Sequence, residues 1–551
     1  MASRISARRA QGRPMRKLKV AVIDLIGNGE NRSLYGYVMF ANSASIMPQV
    51  VATLCESEGH AVNFIVYTGR EDLAREVGTE ADVVFISAFT TAAALAYAIS
   101  AWCRSNGAIT ILGGPHARSY PEDACRYFDY VFGFTDRETL VDVLRANERQ
   151  RPLGRYVTAP GQPQSLPGVR ERWKFVEKTL QKAPWIKVVP MIGSMGCPYS
   201  CSFCIDANVP YQTLPFDVIE EDLRFLLTKF AKPLVAWHDP NFGIKFDQYM
   251  GLIERAAPRG AINFIAETSL SILTEPHLRR MRDNGIVALL PGIESWYDLG
   301  GKSRVGRTTG TEKLERISEH VNLIQSYVPY LQTNFVIGMD NDQGAEPFEL
   351  TKRFVDLCPA AFPGYSLLTS YGSAAPLNLE YQEAGRILPF PFPLLNNNLA
   401  MNVRPRHYGW VEFYDRLIDV VGHTFSPRAI YRRFASATQR ETRWLNLVRG
   451  LSQEGRGRLR HHRRVRELLV SDRAFRDYFE GESTVLPQFY VDLIKRSLGS
   501  WYERLPEGAL WHDHLAYSKR ERTEARGELV PKIPAVIQAP ILWRDARGVA
   551  P

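Results

Sequence analysis

The ten residues Met195-Gly-Cys-Pro-Tyr-Ser-Cys-Ser-Phe-Cys204 constrain this chain more than any other stretch. They set three thiols, Cys197, Cys201 and Cys204, on eight consecutive residues directly behind an apolar run, Ile186 to Ile192, that reads as a strand. Three cysteines this close can wrap one metal centre, but they leave a tetrahedral set one ligand short. A structural zinc site closes with four ligands, often as two separated pairs, and no second Cys-x-x-Cys occurs in the chain. Thiolates are the usual ligands of iron–sulfur clusters. A four-iron cubane held by three of them keeps one iron open for a substrate or cofactor.

The spacing Cys-x3-Cys-x2-Cys, with Phe203 just before the last cysteine, resembles the radical S-adenosylmethionine (radical SAM) enzymes. The resemblance implies a four-iron four-sulfur cluster on Cys197, Cys201 and Cys204, with SAM chelating the open iron. An electron from the cluster then cleaves SAM to a 5′-deoxyadenosyl radical. A small electron donor such as flavodoxin or ferredoxin is implied with it.

At 551 residues the chain is long enough for two or three domains. Its 45% apolar and 23% charged residues are those of a globular protein, and no apolar run approaches the roughly 20 residues of a membrane span. Seven cysteines without secretory spacing point to reduced thiols and a cytoplasmic setting. The net charge of +9 is concentrated partly in a basic tail, residues 1–18, with Arg4, Arg8, Arg9, Arg13, Arg16 and Lys17 and no acid. A solvated tail accounts for it, and nucleic acid is not expected as a partner.

Residues 19–150 alternate apolar strand-like runs with helical patterns. Lys19–Leu25, 61–66, 82–89, 108–112 and 130–134 read as strands, with helices over 93–105 and 137–146. Five such alternations predict a doubly wound, Rossmann-like parallel sheet that binds ligands at the carboxyl ends of its strands. Gly27, Asn28, Ser87, Thr90, Gly113, Gly114 and His116 lie at those ends. The run Leu112-Gly-Gly-Pro-His-Ala117, followed by Asp129-Tyr-Val-Phe-Gly, is similar to the cobalamin-binding domain upstream of many radical SAM barrels. That similarity implies cobalamin at these seven residues. The Asp-x-His-x-x-Gly motif is absent, which implies a cobalt without a lower histidine ligand.

Residues 151–184, punctuated by Pro152, Gly154, Pro160, Gly161, Pro163 and Pro167, read as a linker. Residues 185–390 then give six strand–helix units, a partial (β/α)6 barrel with its chemistry at the strands' carboxyl ends. Several of those ends resemble radical SAM pieces: Asp239-Pro-Asn-Phe242, Gly292-Ile-Glu-Ser295 and Phe335-Val-Ile-Gly338. The resemblance implies SAM contacts from Phe203, Asp239, Asn241, Gly292, Glu294, Ser295, Ile337 and Gly338. Glu267, ending the third strand, joins them as a candidate, whereas His238 beside Trp237 reads as structural.

Residues 391–551 read as a mainly helical domain that caps the barrel. The arginine run Arg456 to Arg466 reads as a solvated face, and His512 and His514 fit a surface turn as well as a metal site. Taken together, the resemblances imply a cobalamin-dependent radical SAM enzyme that methylates an unactivated carbon of a small molecule. A cyclase, oxidase or ring-rearranging enzyme with the same cofactors is the alternative. A non-enzymatic corrinoid carrier or zinc-stapled protein is a second one.

Overall fold

The structure is a computed structural model and describes residues 16–31, 33–207, 209–297, 305 and 307–516. Of the basic tail, residues 1–15 lie outside the described residues, as do residues 517–551 of the last domain.

Strands β1 (Lys19–Leu25), β2 (Ala61–Tyr67), β3 (Val83–Ala88), β4 (Ile109–Gly113), β5 (Tyr130–Phe132) and β6 (Arg155–Val157) form one parallel sheet in the order β2-β1-β3-β4-β5-β6. Val20, Val22, Val83, Phe85 and Ile111 are buried on one face, and Ala21, Ile23, Val84, Ile86 and Leu112 on the other. Near-continuous apolar strands of this kind require helices on both sides. The strand order reverses between β1 and β3, and a doubly wound sheet binds its ligand at the carboxyl ends beside that reversal.

The stretch expected as a linker carries part of this first domain. Tyr130, Val131 and Phe132 pair with Arg155, Tyr156 and Val157, so β6 is a sixth strand. Helix 173–182 then buries Phe175, Val176, Thr179 and Leu180. Phe175 stacks obliquely on Phe64 of β2 at 5.2 Å. Gln49, on helix 46–57, accepts from Arg172 at 2.6 Å and donates to Thr179 at 3.3 Å.

The second sheet comprises β7 (Val188–Met191), β10 (Leu234–Trp237), β11 (Asn263–Ser269), β12 (Ile286–Glu294), β13 (Tyr330–Ile337) and β14 (Phe362–Leu367), all parallel, with β7 and β14 at its edges. Between β7 and β10 the chain makes a small hairpin, β8 (Ser194–Met195) with β9 (Gln212–Thr213). This is the partial six-stranded barrel that the sequence predicts, open between β14 and β7. An open edge leaves backbone groups unpaired, and the tail covers those of β14. Arg458 donates to Tyr365 O on β14 at 2.7 Å, and Leu367 N donates to Asn397 O at 2.6 Å. On the other edge Val188 N donates to Asn42 Oδ1 at 3.3 Å.

Helix 376–383 closes the barrel region, and the tail is helical over 410–424, 427–436, 440–451, 458–471, 473–480 and 488–498. The arginine run is not a fully solvated face. Leu459, His462, Val465, Leu468 and Leu469 are buried on one side of helix 458–471, and Arg458 reaches inward as described. Among the described residues no single helix is long and apolar enough to cross a membrane; only the bent pair 34–43 with 46–57 meets length and composition together.

Candidate active site

The cysteine loop hangs from β7 and closes on itself. Gly193 N and Ser194 Oγ donate to Asp239 at 2.8 and 2.6 Å, and Tyr249 OH donates to the same carboxylate. Cys197 N donates to Val209 O at 3.2 Å, and Cys204 N to Cys201 O at 2.9 Å. Gly196 has φ +69°, and a Cβ there would lie 2.2 Å from Pro210 O, so only glycine fits this neck. The amide of Asp206 donates to Cys204 Sγ at 3.4 Å.

The other four cysteines are different in kind. Burial pushes the thiols of Cys55, Cys103, Cys125 and Cys358 up to about 12, so they are protonated packing groups. Among the described residues, no three His, Cys, Asp or Glu side chains converge tightly enough to hold a single metal ion. Cubane ligands bind separate irons and need no common contact point. His512 is buried, with its ring stacked on Phe392 at 4.2 Å, and is no surface turn residue.

Around the barrel mouth the predicted residues divide into groups. Asp239 is 1% exposed and takes up the three donors named above, so it braces the loop. Burial raises its carboxyl while those donors lower it. Asn241 donates to Ser269 Oγ at 3.3 Å, Ser269 shares a hydrogen bond with Ser271 at 3.2 Å, and Ser271 with Tyr199 OH at 3.0 Å. This chain of side chains ties the ends of β10 and β11 to the cysteine loop. Asn241 Oδ1 is buried without a hydrogen-bond partner. Glu267 is exposed within β11, which runs on to Ser269 and does not end at Glu267 as expected.

Glu294 has φ +65°, and the pairing of β12 with β13 slips between Gly292 and Glu294. A Cβ on Gly292 would lie 2.1 Å from Glu294 Oε1, so this glycine makes room for the carboxylate. Backbone strain in a non-glycine residue persists where the surroundings enforce it and is concentrated at functional sites. Ser295 is a brace: its hydroxyl donates to Asp342 at 2.5 Å, and the buried Lys313 donates to its carbonyl at 2.6 Å. Ile337 departs from expectation. Alternation along β13 buries Phe335 and Ile337 toward the helices and turns Gln332, Asn334 and Val336 inward, so Val336 is the apolar residue on the inner face. Gly338 has φ +94° and packs under Met401.

A cavity of about 280 Å³ opens between the two sheets, with about 1140 Å³ of atom-free space once its mouth is included. Ser87, Gly113 and Gly114 line it. Gly27, Asn28, Thr90 and His116 do not. The 27–29 loop turns to the tail instead, where a Cβ on Gly29 would lie 2.1 Å from Ser497 O. Thr90 is buried at the start of a short turn. His116 is 0% exposed, because the chain folds into a short helix, 115–119, that points its ring inward. There Nε2 meets Tyr97 OH at 2.6 Å and the ring packs on Phe392 at 4.6 Å. Burial lowers its imidazole to about 3.

Sequence reasoning missed several of the walls. The first domain adds Met47, Pro48, Val51, Arg118 and the segment Phe132-Gly-Phe-Thr135. The barrel side supplies Ile192, Met195, Gly196, Asp206, His238 and Pro240. Gly133 directly behind a strand end was the available signal. His238 is held neutral by burial, to which the Arg172 cation adds, lowering it to about 4.

Comparison with known proteins agrees with this arrangement. Residues 45–144 match the B12 binding domain. Bacteriochlorophyllide d C-12(1)-methyltransferase of Chlorobaculum tepidum is 22% identical over 359 residues, 63% of this chain and 71% of that protein. The methyltransferase TsrM of Kitasatospora setae, solved with tryptophan and a SAM analogue, superposes with a TM-score of 0.55 at 15% identity, covering 82% of this chain and 100% of that one. OxsB, solved with aqua-cobalamin and SAM, gives 0.51 at 12% identity, covering 89% and 84%. The fold is that of a cobalamin-binding radical SAM enzyme.

The cavity suits the cofactor which that fold implies. A Cβ on Gly113 would meet nothing within 4 Å, so the end of β4 faces open space. Val22, Phe85, Ile111 and Phe132 line an apolar slot down the sheet face from it. Apolar walls with a few polar groups at the rim are the usual construction of a cofactor pocket. Met195, Gly196 and Asp206 bring the flanks of the cysteine loop to the same space.

Proposed function

We propose that this chain is a cobalamin-dependent radical SAM C-methyltransferase acting on a small molecule. The observation that carries the reading is one cavity with Ser87, Gly113 and Gly114, strand ends within the matched B12 binding domain, on one wall and Met195, Gly196 and Asp206, which flank the three cysteines, on the other. Both bacteriochlorophyllide relatives and TsrM, matched over 69% or more of their lengths, are named methyltransferases, whereas OxsB, matched over 84%, is named a cobalamin-dependent radical enzyme.

Cys197, Cys201 and Cys204 would hold the cluster, and Phe203 would flank it. Glu294 and Glu267 are the acids suited to the ammonium of SAM, with Gly292 leaving room for the former. Asn241 carries a buried oxygen in need of a donor, and Val336, with Gly338 beside it, offers the apolar surface for a purine. Asp239 and Ser295 act behind these by fixing backbone. Ser87, Gly113 and Gly114 would bear the cobalamin. His116 is packed elsewhere, so a cobalt without a lower histidine ligand fits this wall. Bound together, the three cofactors supply a hydrogen-abstracting radical and a methyl group. The chain's own work is alignment and exclusion of water, which is where an enzyme gains most when the cofactors carry the difficult steps. A flavodoxin- or ferredoxin-type donor would deliver the electron.

Anaerobic reconstitution with hydroxocobalamin, followed by assay with methyl-labelled SAM, tests the proposal. Reductant-dependent 5′-deoxyadenosine with label retained in the product is expected. Deoxyadenosine without methyl incorporation selects cyclisation or oxidation instead. A colourless, redox-silent protein, unaltered by changing all three cysteines to alanine, rejects the enzyme.

A further inference from the structure

The two walls of the cavity are joined by a third element that lines neither. After β14 the chain makes a turn, residues 371–378, that touches both. On the first-domain side Ser373 N donates to Ser119 O at 2.9 Å, and Ser373 Oγ lies 3.4 Å from the carbonyls of Arg118 and Ser119. Gly372 passes so close, at φ +40°, that a Cβ on it would lie 1.8 Å from Ser119 O. On the barrel side Leu377 N donates to Ser202 O at 2.9 Å, and Ser202 sits between Cys201 and Cys204.

The turn is itself rigid. Asn378 is buried and bridges Ser370 Oγ to Gly372 O, accepting from one and donating to the other. Asn402, also buried, accepts from Ser370 N at 2.8 Å and donates to Ser370 O at 3.0 Å. Buried amides with both ends engaged hold one geometry, because each alternative strands a polar group. A second bridge runs alongside: Arg118, whose guanidinium lies 5.0 Å over the Phe134 ring, donates to Asp206 at 3.3 Å and to Ile205 O at 3.4 Å.

We propose that residues 371–378 are a strut that sets the spacing between the cobalamin-bearing strand ends and the cluster-bearing loop, with Gly372 as its positioning residue. The inference rests on the cofactor reading of the cavity above. The strut bears on both sites from behind, so it governs their separation without contacting either cofactor. A methyl group at Gly372 has to push Ser119 away, and a well-packed interior passes such a shift on to its neighbours.

The test uses the whole chain loaded anaerobically with cobalamin and cluster, compared with G372A and L377P. Proline at position 377 stands in the first turn of helix 376–383, where it is tolerated, and removes the amide that reaches Ser202 along with the Leu377 side chain packed on the core; L377A, which keeps the amide, accounts for the side chain and should leave the saturation unchanged. The reduced cluster speeds spin relaxation of Co(II), and the effect falls steeply with separation. In G372A and L377P the power needed to half-saturate the Co(II) signal should fall, while iron content, bound cobalamin and reductant-dependent deoxyadenosine stay at the level of the unsubstituted chain. Unchanged saturation in either of these two, once folded and loaded, overturns the strut. Should G372A not fold, L377P set against L377A decides. Failure of the unsubstituted chain to bind cobalamin would instead overturn the reading of the cavity, and is seen before any variant is made.

Discussion

At the scale of single residues, the cost of a buried charge sorts working groups from braces. Asp239 shows a carboxylate fully engaged by donors. Asp24, near the end of β1, shows one that is not. It accepts from Ser45 N at 3.0 Å ahead of helix 46–57, but desolvation outweighs that bond and raises its carboxyl from 3.8 to about 7. A folded value above the unfolded one means that the group's contribution to stability is complete below the unfolded value and is lost as pH rises through the folded one. D24N keeps the acceptor and removes the ionisation. Thermal melts of D24N and the unsubstituted chain should nearly coincide at pH 4 and separate by pH 8, with D24N the more stable by on the order of 3 kcal/mol. A gap that does not grow with pH refutes the assignment.

At the scale of elements, the sequence was legible wherever apolar periodicity was strong. Helices 93–105 and 137–146 stand where their patterns put them, since long amphipathic runs have few other ways to bury their faces. Strand β6 was hidden because it is three residues long, has Arg155 and Tyr156 exposed, and gains its identity only by pairing with β5. Helix 458–471 was hidden behind its charges. Leu459, Val465 and Leu469 face inward at helical spacing, but six arginines between 456 and 466 masked the stripe. The cysteine loop was legible as local spacing. His116 was misjudged because a histidine behind two glycines looks like loop chemistry until the short helix turns it inward. Arg458 is where the hidden helix matters most, donating to Tyr365 O and Asn398 Oδ1 at 2.7 and 2.8 Å on the barrel's open edge. R458A leaves both acceptors without this donor and should cost about 2–3 kcal/mol. R463A, at an exposed position of the same helix, should stay within about 0.5 kcal/mol. Equal melting temperatures for the two variants would dismiss the edge clamp.

At the scale of the whole molecule, a domain boundary placed at the end of the last long helical pattern, near residue 150, would cut through a working unit. Residues 155–157 pair with β5, helix 173–182 packs Phe175 on Phe64, and Gln162 and Pro163 line the cavity. A fragment of residues 16–150 therefore exposes a sheet edge and an apolar face together, the combination that makes partly folded chains aggregate. A fragment of residues 16–184 regains both. It should be monodisperse and melt cooperatively where the shorter one does not. Yet it carries only one wall of the cavity, without Ile192, Met195, Gly196, Asp206, His238 and Pro240. Its affinity for hydroxocobalamin should fall at least roughly tenfold below that of the whole chain, the effect of losing about 1.4 kcal/mol of contact. Cooperative melting of the shorter fragment at the temperature of the longer one would return residues 151–184 to the role of a linker. Equal affinity of the longer fragment and the whole chain would mean that the barrel wall contributes nothing to holding the cofactor, and that alignment against the cluster is its sole contribution there.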